Sequence, residues 1–293
     1  MEIEQKEHKM NIGWYPGHMA KTKRELYERI KLVDIIIELL DARIPIASKN
    51  PDIDSLCQNK HRIVVLNKSD LSDSNINNKW KTYFNNLGYT VIMANSIKGA
   101  GMKEITEASL AFMQDKIERQ KQRGRIFTPC RAMIAGIPNV GKSTLINKYA
   151  GKSVAKTGDK PGVTRTGQWV KVKKGFELLD TPGILWPKID DEQTGIKLAL
   201  TGAIKDDILD METLGKKLVE MIARIKPDAL RMRYGIDFSE NETGAAICEK
   251  IGIARGFKIK GGETDILRTS ITLIDEFRAA KISRISLEEP LHL

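Results

Sequence analysis

A chain of 293 residues, 41% hydrophobic and 29% charged, has the composition of a folded globular protein with one large or two modest cores. No run reaches the roughly 18 uninterrupted apolar residues of a membrane span, and the charged start "MEIEQKEHKMNIG" lacks a signal peptide's apolar core, so a cytoplasmic protein without a membrane partner is expected. The net charge of +10 is uneven: residues 190–293 hold 16 Lys and Arg against 19 Asp and Glu, net −3, and residues 1–189 hold 32 against 19, net +13.

In chain order, Met19, Leu26, Tyr27 and Ile30 recur at helical spacing among Lys21, Lys23, Arg24, Arg29 and Lys31, which predicts a basic amphipathic helix from Gly17 to Lys31. Three short apolar runs follow, "VDIIIELLDA", "RIVVLNKSD" and "YTVIMANS", separated by helical segments such as "NNKWKTYFNNLG". Strands alternating with helices predict βαβ units and a parallel sheet. A charged helix from Met102 to about Arg123 leads into a further strand within "CRAMIAGIPNVGKST", and "GQWVKVKKGFELLDTPG" reads as a hairpin turning at Lys174-Gly175.

After Gly183 the pattern changes. Ile208, Met211, Leu214, Leu218, Met221, Ile222 and Ile225 predict one helical face stopped by Pro227. "ENETGAAICEKIGIARG" and "ETDILRTSITLIDEFRAAKISR" also read as helices. The expected organisation is an α/β domain over residues 1–188 and an all-helical domain over 189–293. Cys57, Cys130 and Cys248 have no paired spacing and read as reduced, mostly buried thiols.

Four short stretches carry the chemistry. "GIPNVGKST", Gly136 to Thr144, fits the phosphate-binding pattern GxxxxGK[ST]. Gly136 and Gly141 let the backbone turn its N–H groups inward, so Asn139, Val140, Gly141, Lys142, Ser143 and Thr144 form the phosphate cradle. Lys142 neutralises the β- and γ-phosphates there, the Ser143 hydroxyl takes Mg2+, and the following helix adds its positive end. "DTPG" ends a predicted strand: Asp180 would hold the magnesium through water and the Gly183 N–H would meet the γ-phosphate. "NKSD" supplies Asn67, Lys68 and Asp70; an aspartate at its end accepts the two donors that guanine has and adenine lacks. "NSIKGAG" places Asn95 and Ser96 as a brace on the other side of the base. Each stretch alone has a bland reading as a polar loop. Together they predict a site for GTP and GDP, and the basic half suggests RNA as a polyanionic partner, not DNA.

The order is NKSD, NSIKG, GIPNVGKST, DTPG. Ordinary GTPases run from the phosphate loop through DxxG to NKxD, so this chain reads as a circular permutation, a rearrangement that keeps the spatial site and moves the termini. The permuted order, "WYPGHMAKTKREL", "DARIP" and the ending "SRISLEEP" resemble the YlqF/RbgA family of ribosome biogenesis GTPases over nearly the whole chain. The resemblance implies a circularly permuted P-loop GTPase domain with a helical RNA-binding domain. It also implies slow intrinsic GTP hydrolysis and a role in late maturation of the large ribosomal subunit, with its rRNA as partner.

Ile184 stands where Ras-type enzymes carry a water-orienting glutamine, so another group, from a partner or from elsewhere in this chain, must position the water. His18, in "YPGHMAK", is the internal catalytic candidate beside Lys142; an RNA contact or a helix cap are its alternatives. Asn139 resembles the asparagine with which related GTPases hold K+, and reads equally as a plain loop residue. The magnesium-binding switch threonine is Thr164 or Thr166, with Thr164 preferred. A GTP-sensing RNA-binding module with little turnover is the alternative function.

Overall fold

The computed structural model describes residues 24, 27–57, 60–124, 129–151, 168–173, 175–180, 189, 191–239 and 241–290. Its centre is a six-stranded sheet. Strand β1 spans Ile35–Asp41, β2 His61–Asn67, β3 Thr90–Met93, β4 Cys130–Ala135, β5 Gln168–Lys173 and β6 Phe176–Asp180. They lie in the order β3-β2-β1-β4-β6-β5, all parallel except β5, which pairs antiparallel with β6. The helices between them are α1 (Pro51–Leu56), α2 (Ser74–Asn86), α3 (Met102–Gln122) and α4 (Lys142–Ala150).

Every residue of β1 is buried, as a central parallel strand covered on both faces requires. Glu38 can stand in that apolar run because Arg62 of β2 pairs with it and also bonds Asp54 at 2.6 Å. Helix α2 starts where the Asp73 carboxylate caps the N–H groups of Asn75 and Ile76. The hairpin of β5 and β6 turns through Gly175, whose φ of 91° lies in the left-handed region open to glycine.

The rest is helical: α5 (Glu192–Leu200), α6 (Met211–Ile225), α7 (Pro227–Tyr234), α8 (Gly244–Ala254) and α9 (Ile266–Arg278). Among the described residues here the only strand-like pairing is one isolated bridge, Lys258 to Thr264. Two expectations for this part change. Ile208 is not on the α6 face but in a 3-10 turn, Asp206–Ile208, and 65% exposed. The cause is Asp210, whose carboxylate caps Glu212 and Thr213 and starts the helix after Ile208. Pro227 does more than stop α6: it occupies the first turn of α7, where its missing N–H is harmless.

One continuous buried cluster runs from Ile35, Ile37 and Leu39 of the sheet through Ile196 and Leu200 to Leu218, Ile274 and Phe277. The helical part therefore packs directly on the sheet. Cys57, Cys130 and Cys248 are buried and unpaired with one another, and burial pushes their thiols up to about 11, 12 and 12.

Within the helices, Glu276 accepts from Arg233 at 2.6 and 2.8 Å, from Tyr234 at 2.9 Å and from Arg255 at 3.2 Å. The Arg233 hydrogen bonds lead in holding its carboxyl below the usual glutamate range, against burial. A depressed carboxylate contributes stability above its unfolded pKa and loses it as pH falls through the folded value. Glu276→Gln is therefore expected to cost about 1–3 kcal/mol near neutral pH, and the gap to the native chain to close below the glutamate range. Urea unfolding as a function of pH measures both.

Candidate nucleotide site

The parallel registers bring the predicted motifs to one edge of the sheet. Asp41 pairs with Asn67 across β1 and β2, Leu66 with Met93 across β2 and β3, Glu38 with Ala135 across β1 and β4, and Met133 with Leu179 across β4 and β6. The loops after β1, β2, β3, β4 and β6 thus leave from the same carboxyl edge. The chain winds from β1 out to β3 on one side and from β4 outward on the other. The crevice between β1 and β4 is the switch point where such sheets bind ligands.

Asn67 ties three of the motifs together. Its Nδ2 donates to the Val140 carbonyl at 2.7 Å, and its Oδ1 accepts from the Ser96 N–H at 3.0 Å and the Ser96 hydroxyl at 2.8 Å. A Cβ on Gly141 would lie 2.3 Å from Asn67 Nδ2, and one on Gly136 would lie 2.7 Å from the Leu39 carbonyl oxygen. Both glycines have positive φ, 103° and 153°, so close approach and conformation together demand glycine at these two places. Asn95 closes its own loop, accepting from Lys98 N–H on its side chain at 2.9 Å and from Gly99 N–H on its carbonyl at 2.8 Å.

Gly141 caps α4, so the helix begins at Lys142 with its first N–H groups, including those of Ser143 and Thr144, at the crevice. The buried Lys142 ammonium donates to the carbonyls of Gly136 and Ile137 at 3.0 and 2.7 Å. Burial draws its pKa down to about 7, against the raising effect of the nearby Asp180 charge. Such a lysine gains from an anion bound against it. Asp180 ends β6 and is 3% exposed.

Lys68 takes a φ of 57° and sends its ammonium 3.1 Å from Asp41 Oδ2. Burial lowers the pKa of Lys68, and Asp41 opposes that shift. Asp70, partly exposed, makes no hydrogen bond or ion pair to any described residue, which leaves both carboxylate oxygens available to a base. Asn139 has a φ of 57°, and its side chain abuts the helical part: a Cβ on Gly202 would lie 2.8 Å from Asn139 Nδ2. His18, Thr164, Thr166, Gly183 and Ile184 lie outside the described residues, as does most of the predicted basic helix; its end at Tyr27–Lys31 is helical.

Sequence reasoning assigned no role to the buried pair Asp41 and Arg43 beneath the base loop. The stretch "DARIP" entered the sequence analysis only as part of the family resemblance, with no separate role for its acid or its base.

A three-layer sheet with a phosphate loop at its switch point and an NKxD loop two strands away defines a circularly permuted P-loop GTPase. Known proteins of the same kind agree. A family model described as "50S ribosome-binding GTPase" matches residues 131–226. Ribosome biogenesis GTPase A of Bacillus licheniformis is 46% identical over 281 residues, covering 96% of this chain and 99% of that protein. The GDP-bound structure of TM YlqF superposes with a TM-score of 0.68 at 28% identity, covering 92% of this chain and all of that one. GNP-bound YlqF from T. maritima gives 0.66 at 29% identity, covering 93% and all.

The chain belongs to the ribosome biogenesis GTPase A family and is a GTP hydrolase. GTPases generally use Mg2+ with the nucleotide. The donor set here, the Ser143 hydroxyl and the Asp180 carboxylate, is all oxygen and fits a magnesium ion completed by phosphates and water. No helix among the described residues is long and apolar enough to cross a membrane.

Proposed function

We propose that this GTPase binds ribosomal RNA on pre-ribosomal particles and assists late assembly of the large ribosomal subunit, with hydrolysis stimulated by the particle. The observation that carries the nucleotide side is the Asp70 carboxylate in the loop after β2, unpaired among the described residues, close to Asn67, which locks the base loop to the phosphate loop. The ribosomal side rests on the family and on the +13 carried by residues 1–189.

In this reading Asn67, Lys68, Asp70, Asn95 and Ser96 hold the guanosine and Asn139 to Thr144 cradle the phosphates, with Gly183 at the γ-phosphate. Ser143, Asp180 and Thr164 hold Mg2+, and Asn139 takes K+. His18 accepts the proton of the attacking water, since Ile184 has no group to orient it. The division at residues 188 and 189 makes the helical part the RNA-binding module, and it packs on the sheet next to the phosphate loop.

Phosphate neutralisation releases counterions, so the affinity for ribosomal particles is expected to fall by about 10³-fold between 50 and 200 mM salt if some six phosphates are contacted. Cosedimentation with separated large and small subunits measures this. Reversing Lys21, Lys23 and Arg24 to glutamate is expected to weaken pelleting with the large subunit and leave nucleotide affinity unchanged. Pelleting indifferent to salt and to the three reversals would contradict the RNA-binding reading.

A further inference from the structure

Asp41 and Arg43 sit directly beneath the base loop and are 2% and 1% exposed. Asp41 Oδ2 accepts from Arg43 Nη2 at 2.7 Å, and Oδ1 accepts from Arg43 Nε at 2.9 Å and from the Arg43 backbone N–H at 3.1 Å. The same carboxylate holds the Lys68 ammonium at 3.1 Å. Lys68 is a non-glycine residue at a φ of 57°, a conformation that persists where the surroundings enforce it. Asp41 holds the Lys68 side chain there, while the Ser69 N–H donates to the Ala94 carbonyl at 3.1 Å and the Leu71 N–H to the Lys68 carbonyl at 2.9 Å.

What seats Arg43 comes from the far end of the chain. Its guanidinium lies over the Phe277 ring at 5.3 Å, and its carbonyl accepts from the Leu287 N–H at 2.9 Å. The residues around Leu287 grip the same region. The Ser286 hydroxyl accepts from the Asp73 N–H at 3.2 Å, where the base loop enters α2. The Glu288 carboxylate accepts from Ile46 and Ala47 N–H at 2.7 and 3.2 Å and pairs with Lys197 at 3.1 Å, while its carbonyl accepts from Trp80 Nε1 at 3.1 Å. The base loop is therefore pinned at Lys68 and at Asp73, and both pins end on the C-terminal segment.

We propose that Arg43 is a positioning residue for guanine recognition: through Asp41 it fixes Lys68 and the NKSD loop, and because the C-terminal segment seats Arg43, nucleotide retention depends on the docking of that segment. This rests on the reading of Lys68 and Asp70 as the base-binding residues. Lysine at position 43 keeps the charge but loses the fork that engages both carboxylate oxygens.

The test is release of a fluorescent GDP from the full-length protein, followed by stopped flow beside thermal melting of each variant. Arg43→Gln is expected to release GDP about tenfold faster, the scale of coupling between groups in contact, with Arg43→Lys in between. Ser286→Ala with Glu288→Gln, remote from the nucleotide, is expected to speed release several-fold. Arg62→Gln is the control. It removes the partner of the buried Glu38 from the same sheet, away from the base loop, and is expected to lower the melting temperature while release is unchanged.

Equal release from the Arg43→Gln and Arg62→Gln proteins at matched loss of stability would overturn the proposal, as would unchanged release in the Ser286/Glu288 variant. If Arg43→Gln does not fold, Arg43→Lys and the Ser286/Glu288 variant decide the matter. Asp70→Asn separates the two levels. A switch to xanthosine diphosphate in that variant alongside unchanged release in the others contradicts only the positioning role, whereas the absence of any switch contradicts the base site itself.

Discussion

Replacing Lys142 with alanine is expected to lower GTP hydrolysis by about 10²–10³-fold, the scale of losing one charge-stabilising donor at a reacting centre. The ammonium is buried and held by the carbonyls of Gly136 and Ile137, and burial makes its charge costly in the free protein. An arriving triphosphate supplies the compensating charge, and that charge grows on the bridging and γ-oxygens as the bond breaks. Single-turnover hydrolysis beside thermal melting distinguishes lost chemistry from lost fold. A variant that hydrolyses GTP within a few-fold of the native rate would remove Lys142 from the reaction.

The second large effect concerns the base. Asp70→Asn is expected to weaken GTP binding by about 1.5–3 kcal/mol, the worth of hydrogen bonds to a charged acceptor. An amide in that place offers an N–H donor to the position-2 carbonyl of xanthine, so preference is expected to shift towards xanthosine nucleotides. The carboxylate has no competing partner among the described residues, so the substitution removes no contact among them. Competition of GTP and XTP against a fluorescent nucleotide measures the shift, and unchanged GTP affinity in the variant would exclude Asp70 from the base site.

The elements most legible in the sequence were those whose residues answer to local physics. The apolar runs of β1, β2 and β4 are buried on both faces and read as strands without any partner being known. Gly136 and Gly141 were legible because a phosphate loop needs them locally, and the structure adds the contacts with Leu39 and Asn67 that also require them. Asn67 was legible as part of NKSD, but its bonds to Val140 and Ser96 depend on a register between strands distant in sequence. Arg43 lay hidden for the same reason, since its partners Phe277 and Leu287 are more than 200 residues away, and Asp41 with it. Ile208 was misplaced because helical spacing extends a pattern past its cap, and Asp210, the residue that ends the pattern, competes only through its side chain. The short helices α1, α5 and α7 carried too few turns for periodicity to find them.

The packing of the helical part on the sheet gives the proposed coupling a physical route. Asn139 in the phosphate loop abuts Gly202. Arg278 at the end of α9 donates to the carbonyls of Ala199 and Leu200 at 2.9 and 3.0 Å and pairs with Asp206 at 2.7 Å. A change at the phosphate loop therefore meets helical residues within one contact, and under the proposed function a particle gripping the helices would push on the same contact from the other side.

The most direct measurement is steady GTP hydrolysis by the purified protein alone, with the large ribosomal subunit, and with the small one. The account predicts slow hydrolysis alone, a marked rise with the large subunit that is lost in Lys142→Ala, and no rise with the small subunit. A rate that is already fast alone, or that neither subunit changes, would contradict it.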